Sequence, residues 1–394
     1  MLKKYLILFF VLFVFNFSNA QQGIKLSAYA EVSVLTYGPG YALYEKFGHT
    51  AIRIQDPVLQ LDLIYNYGFF DLTESNFYVN FTKGYMKYKL VRYSFPPSLR
   101  GYNEDQRWAK EQILNLTNKQ KNSFFSYLEN NALPSNASYF YDPFFNNCST
   151  KPADIIKNVL GDNVIFKDDF VIENSSIRQL MNNEIHTNTW GSLGINIALG
   201  SKLDKIATSK EYLYLPDYVF KSLACSKVIK NGKEEDLVIT TKNLLNYPEK
   251  KLKSDAISPF IIFFILFLIG LIITIKDFKN NSRSKWLDFL IFFTTGVFGI
   301  LIIFLWFFTN HSTAPNNFNI LWAFAPNIII SFLINRKNPP RWISKYILLL
   351  LILLVLIPII WIFRIQLFPI ELLSFFILLL IRYTYLLKFT KNFE

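Results

Sequence analysis

The chemistry open to this chain is narrow, because its 394 residues include only two cysteines and three histidines. Cys148 stands in Asn146-Asn147-Cys148-Ser149-Thr150, just ahead of a segment that reads as a helix. Ser149 or Thr150 would cap that helix, Pro152 and Asp154 suit its first turn, its body is Ala153–Leu160, and Gly161 ends it. The positive end of the helix dipole favours a thiolate there. His49 opens a strand-like run, His49–Ile54, directly after Gly48, which permits close backbone approach. A thiol nucleophile needs a base within hydrogen-bonding reach, and the base needs an orienting group behind it. Asp62 lies on the next strand, Leu59–Tyr67, of an apparent hairpin. Strand pairing is expected to bring its carboxylate to the imidazole. The expected constellation is therefore Cys148 as nucleophile, His49 as base and Asp62 as orienter. Asn66, in Tyr65-Asn66-Tyr67-Gly68, is the rival orienter.

Plainer readings compete with this one. Cys148 can instead bridge Cys225 in an oxidising compartment, or be an inert buried thiol. A single bridge is not needed to hold a domain of this size together. His49 can be a satisfied histidine at a strand start, and Asp62 a turn or surface carboxylate. The histidines and cysteines are too scattered for a zinc site. No glycine-rich phosphate cradle is present, so the residues imply no metal and no cofactor. His186 reads as a surface residue. His311 lies in an uncharged loop, Thr309–Asn317.

The elements that must position these residues read as an α+β domain with a small sheet and a few helices. Glu31–Thr36 is strand-like and ends at Gly38-Pro39-Gly40, Ala42–Phe47 allows one or two helical turns, and Tyr85–Tyr93 suits a third hairpin strand. A helix is expected at about Glu104–Asn115, and Thr117-Asn118-Lys119-Gln120 is a capping box opening another to about Asn130. Tyr139–Tyr141 reads as a short extended piece. Residues 166–255 carry no readable motif, although Leu199–Asp204 and Leu215–Tyr218 look ordered.

Composition sets where this domain works. Hydrophobic residues make up 52% and charged residues 18%, too few charges for an ordinary soluble globule. The apolar excess sits in two places. Residues 1–20 read as a signal peptide: Lys3 and Lys4, a short apolar core Leu6–Phe15, and Ser18-Asn19-Ala20 at the cleavage site. No cysteine follows to receive lipid. Residues 256–394 read as five membrane spans, at about Pro259–Ile275, Trp286–Phe308, Phe318–Ile334, Tyr346–Phe363 and Ile370–Leu387. Basic residues cluster after the first span, after the third and at the C-terminus, and the other two loops are nearly neutral. The positive-inside rule then places residues 21–255 and the neutral loops on the outer face of the inner membrane. The third span, with Asn319, Pro326 and Asn327, is expected to bend and line a polar cleft. About +8 of the net charge of +12 belongs to the membrane tract. No basic run interleaved with aromatics remains to suggest a nucleic-acid partner.

Three stretches carry a resemblance: Gly48-His49-Thr50-Ala51-Ile52-Arg53, Ile64-Tyr65-Asn66-Tyr67-Gly68 and Asn146-Asn147-Cys148-Ser149-Thr150. Histidine first and cysteine later at a helix start resembles the circularly permuted NlpC-type papain-like fold, shared by lecithin:retinol acyltransferase. The joined membrane domain, with Trp306-Phe307-Phe308-Thr309-Asn310-His311 and Asn319-Ile320-Leu321-Trp322-Ala323, is similar to the Lnb-type lipoprotein N-acyltransferases. The resemblance spans nearly all of the mature chain. It implies transfer of an acyl chain from a membrane phospholipid to the α-amine of a diacylglyceryl-cysteine lipoprotein. Cys148 and His49 match the family's motif positions, and Asn66, Asn147 and His311 are the residues expected to contact substrate. Helix-start N–H groups after Cys148 are expected to hold the oxyanion. Two other classes stay open: a membrane-anchored cysteine hydrolase (peptidase or cell-wall amidase), and a binding scaffold in which Cys148 and His49 are structural.

Overall fold

The structure, a computed structural model, describes residues 24–336 and 339–391. The expected signal peptide lies outside the described residues. The N-terminal part is built on a seven-stranded antiparallel sheet. Its strands are β1 (Glu31–Tyr37), β2 (His49–Asp56), β3 (Leu61–Phe69), β4 (Lys87–Ser94), β5 (Ala109–Leu114), β6 (Ser138–Phe140) and β10 (Val238–Leu245), in spatial order β10-β5-β1-β2-β3-β4-β6. A second, three-stranded sheet contains β7 (Val164–Ile165), β8 (Lys227–Lys230) and β9 (Lys233–Asp236).

Period-two alternation assigns the two faces of the large sheet. Val32, Val34, Ile52, Ile54, Tyr65 and Tyr67 join the main core, which helices Asn118–Ala132 and Thr150–Leu160 cover with Phe124, Leu128, Ile155 and Ile156. Leu35, Tyr37, Ala51, Ile64 and Ala109 face the other way and pack with Phe95 from helix Phe95–Glu104. Thr117 caps its helix through the reciprocal bond with Gln120 that the sequence suggests.

The expected helix Glu104–Asn115 is a correction. The helix lies earlier, at Phe95–Glu104, and Ala109–Leu114 is β5, between β1 and β10. Alanine, lysine, glutamate, glutamine and leucine are good helix formers, but burial overrides that preference. Glu111 is buried on β5, where it accepts hydrogen bonds from Ser33 (2.6 Å) and Arg53 (3.0 and 3.2 Å). The sheet is accordingly larger than the small one expected.

From Pro259 onward the described residues are mainly helical. Among the described residues four helices are long and apolar enough to cross a membrane: Pro259–Lys279, Lys285–Phe307, Ile343–Ile362 and the segment Ile370–Thr390. The third expected span is not one continuous helix. It consists of a 3₁₀ turn, Phe318–Leu321, and a short helix, Asn327–Ile334, separated around Pro326. Its asparagines do not line a cleft. Asn317 donates to the Ile197 carbonyl (2.7 Å) and Asn319 to the Ile197 and Asn196 carbonyls (3.2 and 3.3 Å), so both clasp helix Trp190–Ala198 of the N-terminal part. Asn327 is also buried, donating to Thr295 (2.9 Å). Further along, Arg382 on the last helix is wholly buried and bonds Asp277 (2.8 Å), Asp288 (2.7 Å) and Thr274 (3.2 Å) on the first two membrane helices.

Candidate active site

The path from sequence to site begins at Gly48. Its φ is +77°, and a Cβ there would lie 2.6 Å from the Tyr37 carbonyl oxygen. Glycine lets β2 start tightly against β1, where Tyr37 pairs with His49. The His49 ring lies near-parallel to Tyr37 at 6.2 Å, and Tyr102 stacks on Tyr37 at 3.7 Å. On the other side, His49 Nε2 is 2.7 Å from Asn66 Oδ1. The Asn66 amide also donates to the Tyr93 hydroxyl at 3.0 Å, which aims its oxygen at the imidazole. His49 therefore holds its proton on Nε2 and leaves Nδ1 free to act as a base.

Cys148 closes the site from the loop before helix Thr150–Leu160. Its thiol lies beside the His49 imidazole, near enough for each group to shift the other's pKa. The Thr50 backbone N–H and the Ser149 hydroxyl also point at the sulfur, the latter at 3.9 Å. Both Cys148 and His49 are half-buried. Burial on its own would raise the thiol pKa, but the neighbouring His49 charge and these hydrogen bonds outweigh it and carry Cys148 below its ordinary value. Burial would likewise lower His49, and the charge and hydrogen bond of Cys148, with the bond to Asn66, reverse this and raise it. Both shifts favour a thiolate–imidazolium pair.

A pH profile checks that pair. The thiolate is present above the lowered Cys148 pKa, and the imidazolium is lost only as pH rises through the raised His49 pKa. Alkylation by iodoacetamide is expected to be fast well below the ordinary thiol range of about 8.5. In His49→Ala, burial acts on the thiol with less opposition, and the alkylation profile is expected to move up to that range or above it. A wild-type profile already in the ordinary range would remove the ion pair.

The expectation for Asp62 needs correction. Its side chain holds Arg53 bidentately at 2.7 and 2.9 Å, well away from His49. Arg53 pairs with Ile64 and Ile52 with Tyr65. The same register continued sets Gly68 level with His49. Asp62 lies six positions along, roughly 20 Å at about 3.3 Å per residue. It shares a face with Asn66, so the parity was right and the register wrong. Asn66 is the residue that orients the ring.

Asn147 is placed beside Cys148, but its side chain is fully used in shaping the loop. It donates to the Pro143 and Tyr214 carbonyls (both 2.8 Å) and accepts from the Ser149 and Thr150 N–H groups (2.8 and 2.9 Å). Asn147, not Ser149 or Thr150, thus caps the cysteine helix. The Lys151 N–H bonds the Asn147 carbonyl (3.2 Å). These helix-start donors, expected at the oxyanion, are already engaged. Sequence reading also missed Tyr139 and Tyr141, which alternate onto one side of an extended segment. The Tyr139 hydroxyl is buried and its proton reaches no acceptor among the described residues. A Cβ on Gly68 would have Cys148 Cβ at 3.4 Å, Tyr141 at 3.5 Å and the Tyr139 hydroxyl at 4.0 Å as neighbours. Cys225 is a free thiol, as is Cys148, so no bridge joins them.

The helical part reaches this site through the loop that holds His311. Ser312 donates to Asp142, whose other oxygen accepts from the Phe144 and Phe145 N–H groups at the base of the cysteine loop (2.9 and 3.0 Å). Gly200 and Ser201 bond the carbonyls of Thr313 and Asn316 (2.8 and 3.0 Å). His311 itself packs edge-on to Phe81 at 6.4 Å.

A histidine-bearing strand, a later cysteine at a helix start and a docked set of apolar helices occur together in this chain, which is the plan of a membrane protein with a mixed α/β domain. Residues 16–183 match the Lnb N-terminal periplasmic domain and residues 251–393 the Lnb transmembrane domain. Together these take in most of the sequence, and the chain belongs to the Lnb family of lipoprotein-modifying enzymes. It is a membrane protein with a periplasmic domain. No curated protein and no solved structure matches it.

Proposed function

We propose that the protein is a lipoprotein N-acyltransferase of the inner membrane. Residues 21–255 form its exported catalytic domain and residues 256–394 its multi-pass platform. The observation that carries this reading is the Cys148–His49–Asn66 alignment, anchored to the outer loop of an apolar helical domain. In the first half-reaction the Cys148 thiolate attacks a phospholipid ester carbonyl. The carbon–oxygen bond breaks, a thioester forms, and the lysophospholipid oxygen takes its proton from His49. In the second, the α-amine of a diacylglyceryl-cysteine lipoprotein attacks the thioester. His49 accepts the amine proton, the carbon–sulfur bond breaks, and an amide and the thiolate result. The Tyr139 hydroxyl, buried beside Cys148 with its proton uncommitted, is the donor best placed for the oxyanion.

The test is mass spectrometry of lipoprotein N-termini from cells with and without the protein. Added mass of one fatty acyl group on the diacylglyceryl cysteine is expected only when the protein is present. Unchanged termini, together with protein-dependent release of free fatty acid or cleaved cell-wall peptide, would establish the hydrolase instead.

A further inference from the structure

The segment joining β3 to β4 carries a short helix, Phe77–Thr82, with an unusual surface for a water-facing domain. Leu72, Tyr78, Val79, Phe81 and Tyr85 are all about half exposed or more, at 47–70%. A contiguous apolar patch of this kind marks an interaction surface. It is continuous with the outer end of a membrane helix. The Asn310 N–H donates to the Lys83 carbonyl at 2.9 Å. Gly84 has φ +77°, and a Cβ there would stand 2.7 Å from the His311 nitrogen, so only glycine permits this approach. Phe307 and Phe308, which end helix Lys285–Phe307, are likewise exposed, at 65% and 70%. Lys83, Lys87 and Lys89 follow the short helix and are exposed, a charge that suits lipid phosphates.

From this patch a row of rings runs inward. Phe81 meets Phe77 at 6.2 Å, Phe77 meets Phe70 at 5.9 Å, Phe70 meets Tyr88 at 5.1 Å and Tyr88 meets Tyr141 at 4.4 Å. Tyr141 and Cys148 then border the same point above Gly68. We propose that residues 70–85 seat in the outer leaflet of the membrane, and that this aromatic row conducts a phospholipid acyl chain from the leaflet to Cys148. The occupant is a bilayer lipid tail, because the patch begins where a membrane helix ends. The conduction half of the proposal rests on the acyl-transfer reading; the seating half does not.

The test uses the full-length protein in phosphatidylethanolamine–phosphatidylglycerol vesicles. Val79→Cys in a background of Cys148→Ser and Cys225→Ser carries an environment-sensitive dye. Blue-shifted emission, quenched by spin labels on lipid tails, is expected. In the otherwise native chain, Phe77→Ala is expected to slow Cys148 acylation by long-chain phospholipid at least about tenfold, while acylation by a water-soluble short-chain ester stays unchanged. Equal loss on both esters would overturn the conduction row. A dye quenched only from water, while the otherwise native chain acylates Cys148 normally, would overturn the seating. A lipid-immersed dye on a protein whose native Cys148 accepts acyl from neither ester would overturn the acyl-transfer reading and leave the seating standing.

Discussion

Cys148→Ser is expected to abolish N-acylation of a diacylglyceryl lipoprotein, by at least about 10⁴-fold, while the protein still inserts and folds. Losing the nucleophile of a catalytic unit has an effect of this size or more. Serine fills nearly the same volume but stays almost wholly protonated at neutral pH, and the interactions that lower the Cys148 pKa cannot make up the difference. The wild-type enzyme, given phospholipid and no acceptor, should gain one fatty acyl mass on the peptide holding Cys148. Neutral hydroxylamine should remove it, as it does a thioester. Retained transfer in Cys148→Ser would refute the thiol mechanism. An adduct that only ever releases free fatty acid, even with lipoprotein supplied, would make the enzyme a hydrolase.

Asn66→Ala should come next in size, with a loss on the order of 10²-fold, the usual consequence of a misplaced catalytic group. Its oxygen, 2.7 Å from His49 Nε2, fixes both the ring plane and the tautomer. Without it the imidazole can present the wrong nitrogen to the thiol. Asn66→Asp should keep more activity than alanine, because a carboxylate also accepts from Nε2. Asp62→Asn is the informative contrast. Asp62 grips Arg53, which also binds buried Glu111. Its loss should lower the melting temperature and leave turnover within a few-fold of wild type. Comparable losses of turnover in Asn66→Ala and Asp62→Asn would overturn the orienting role of Asn66.

The contrast between these two residues shows what the sequence discloses. Alternation along β3 identifies the face on which Asp62 and Asn66 both lie, because side chains in a strand have a fixed period of two. It cannot identify the register, which depends on where the hairpin turns. The turn falls between Asp56 and Leu61, which sets Gly68 level with His49 and brings Asn66, two positions along on the same face, within reach of its ring. Ala109–Leu114 went astray for a related reason. Its residues favour a helix locally, and only the waiting Arg53 and Ser33 make a buried strand with Glu111 the better solution. Cys148 and His49 were legible because each has a local cue, a helix start and a glycine-permitted strand start. The Asn147 cap was hidden, since its partners include the Tyr214 carbonyl, 67 residues away. Tyr139 and Tyr141 had no cue beyond their alternation. In the membrane tract, long apolar runs gave four helices plainly, whereas the interrupted third segment is shaped by contacts with helix Trp190–Ala198.

The Arg382 cluster bears on how the protein is made. Synthesis runs from the N-terminus, so Asp277 and Asp288 emerge about a hundred residues before the guanidinium that neutralises them. Until the last helix arrives, Asp288 has Arg283 at 3.5 Å and Asp277 has Ser284 as partners, but neither has Arg382, and an incompletely paired carboxylate in such a place is disfavoured. The charge balance of the bundle is therefore completed only when the helix that carries Arg382 packs against the first two. A chain cut just before Arg382 would retain every residue of the candidate site and still leave Asp277 and Asp288 without the guanidinium that bonds both.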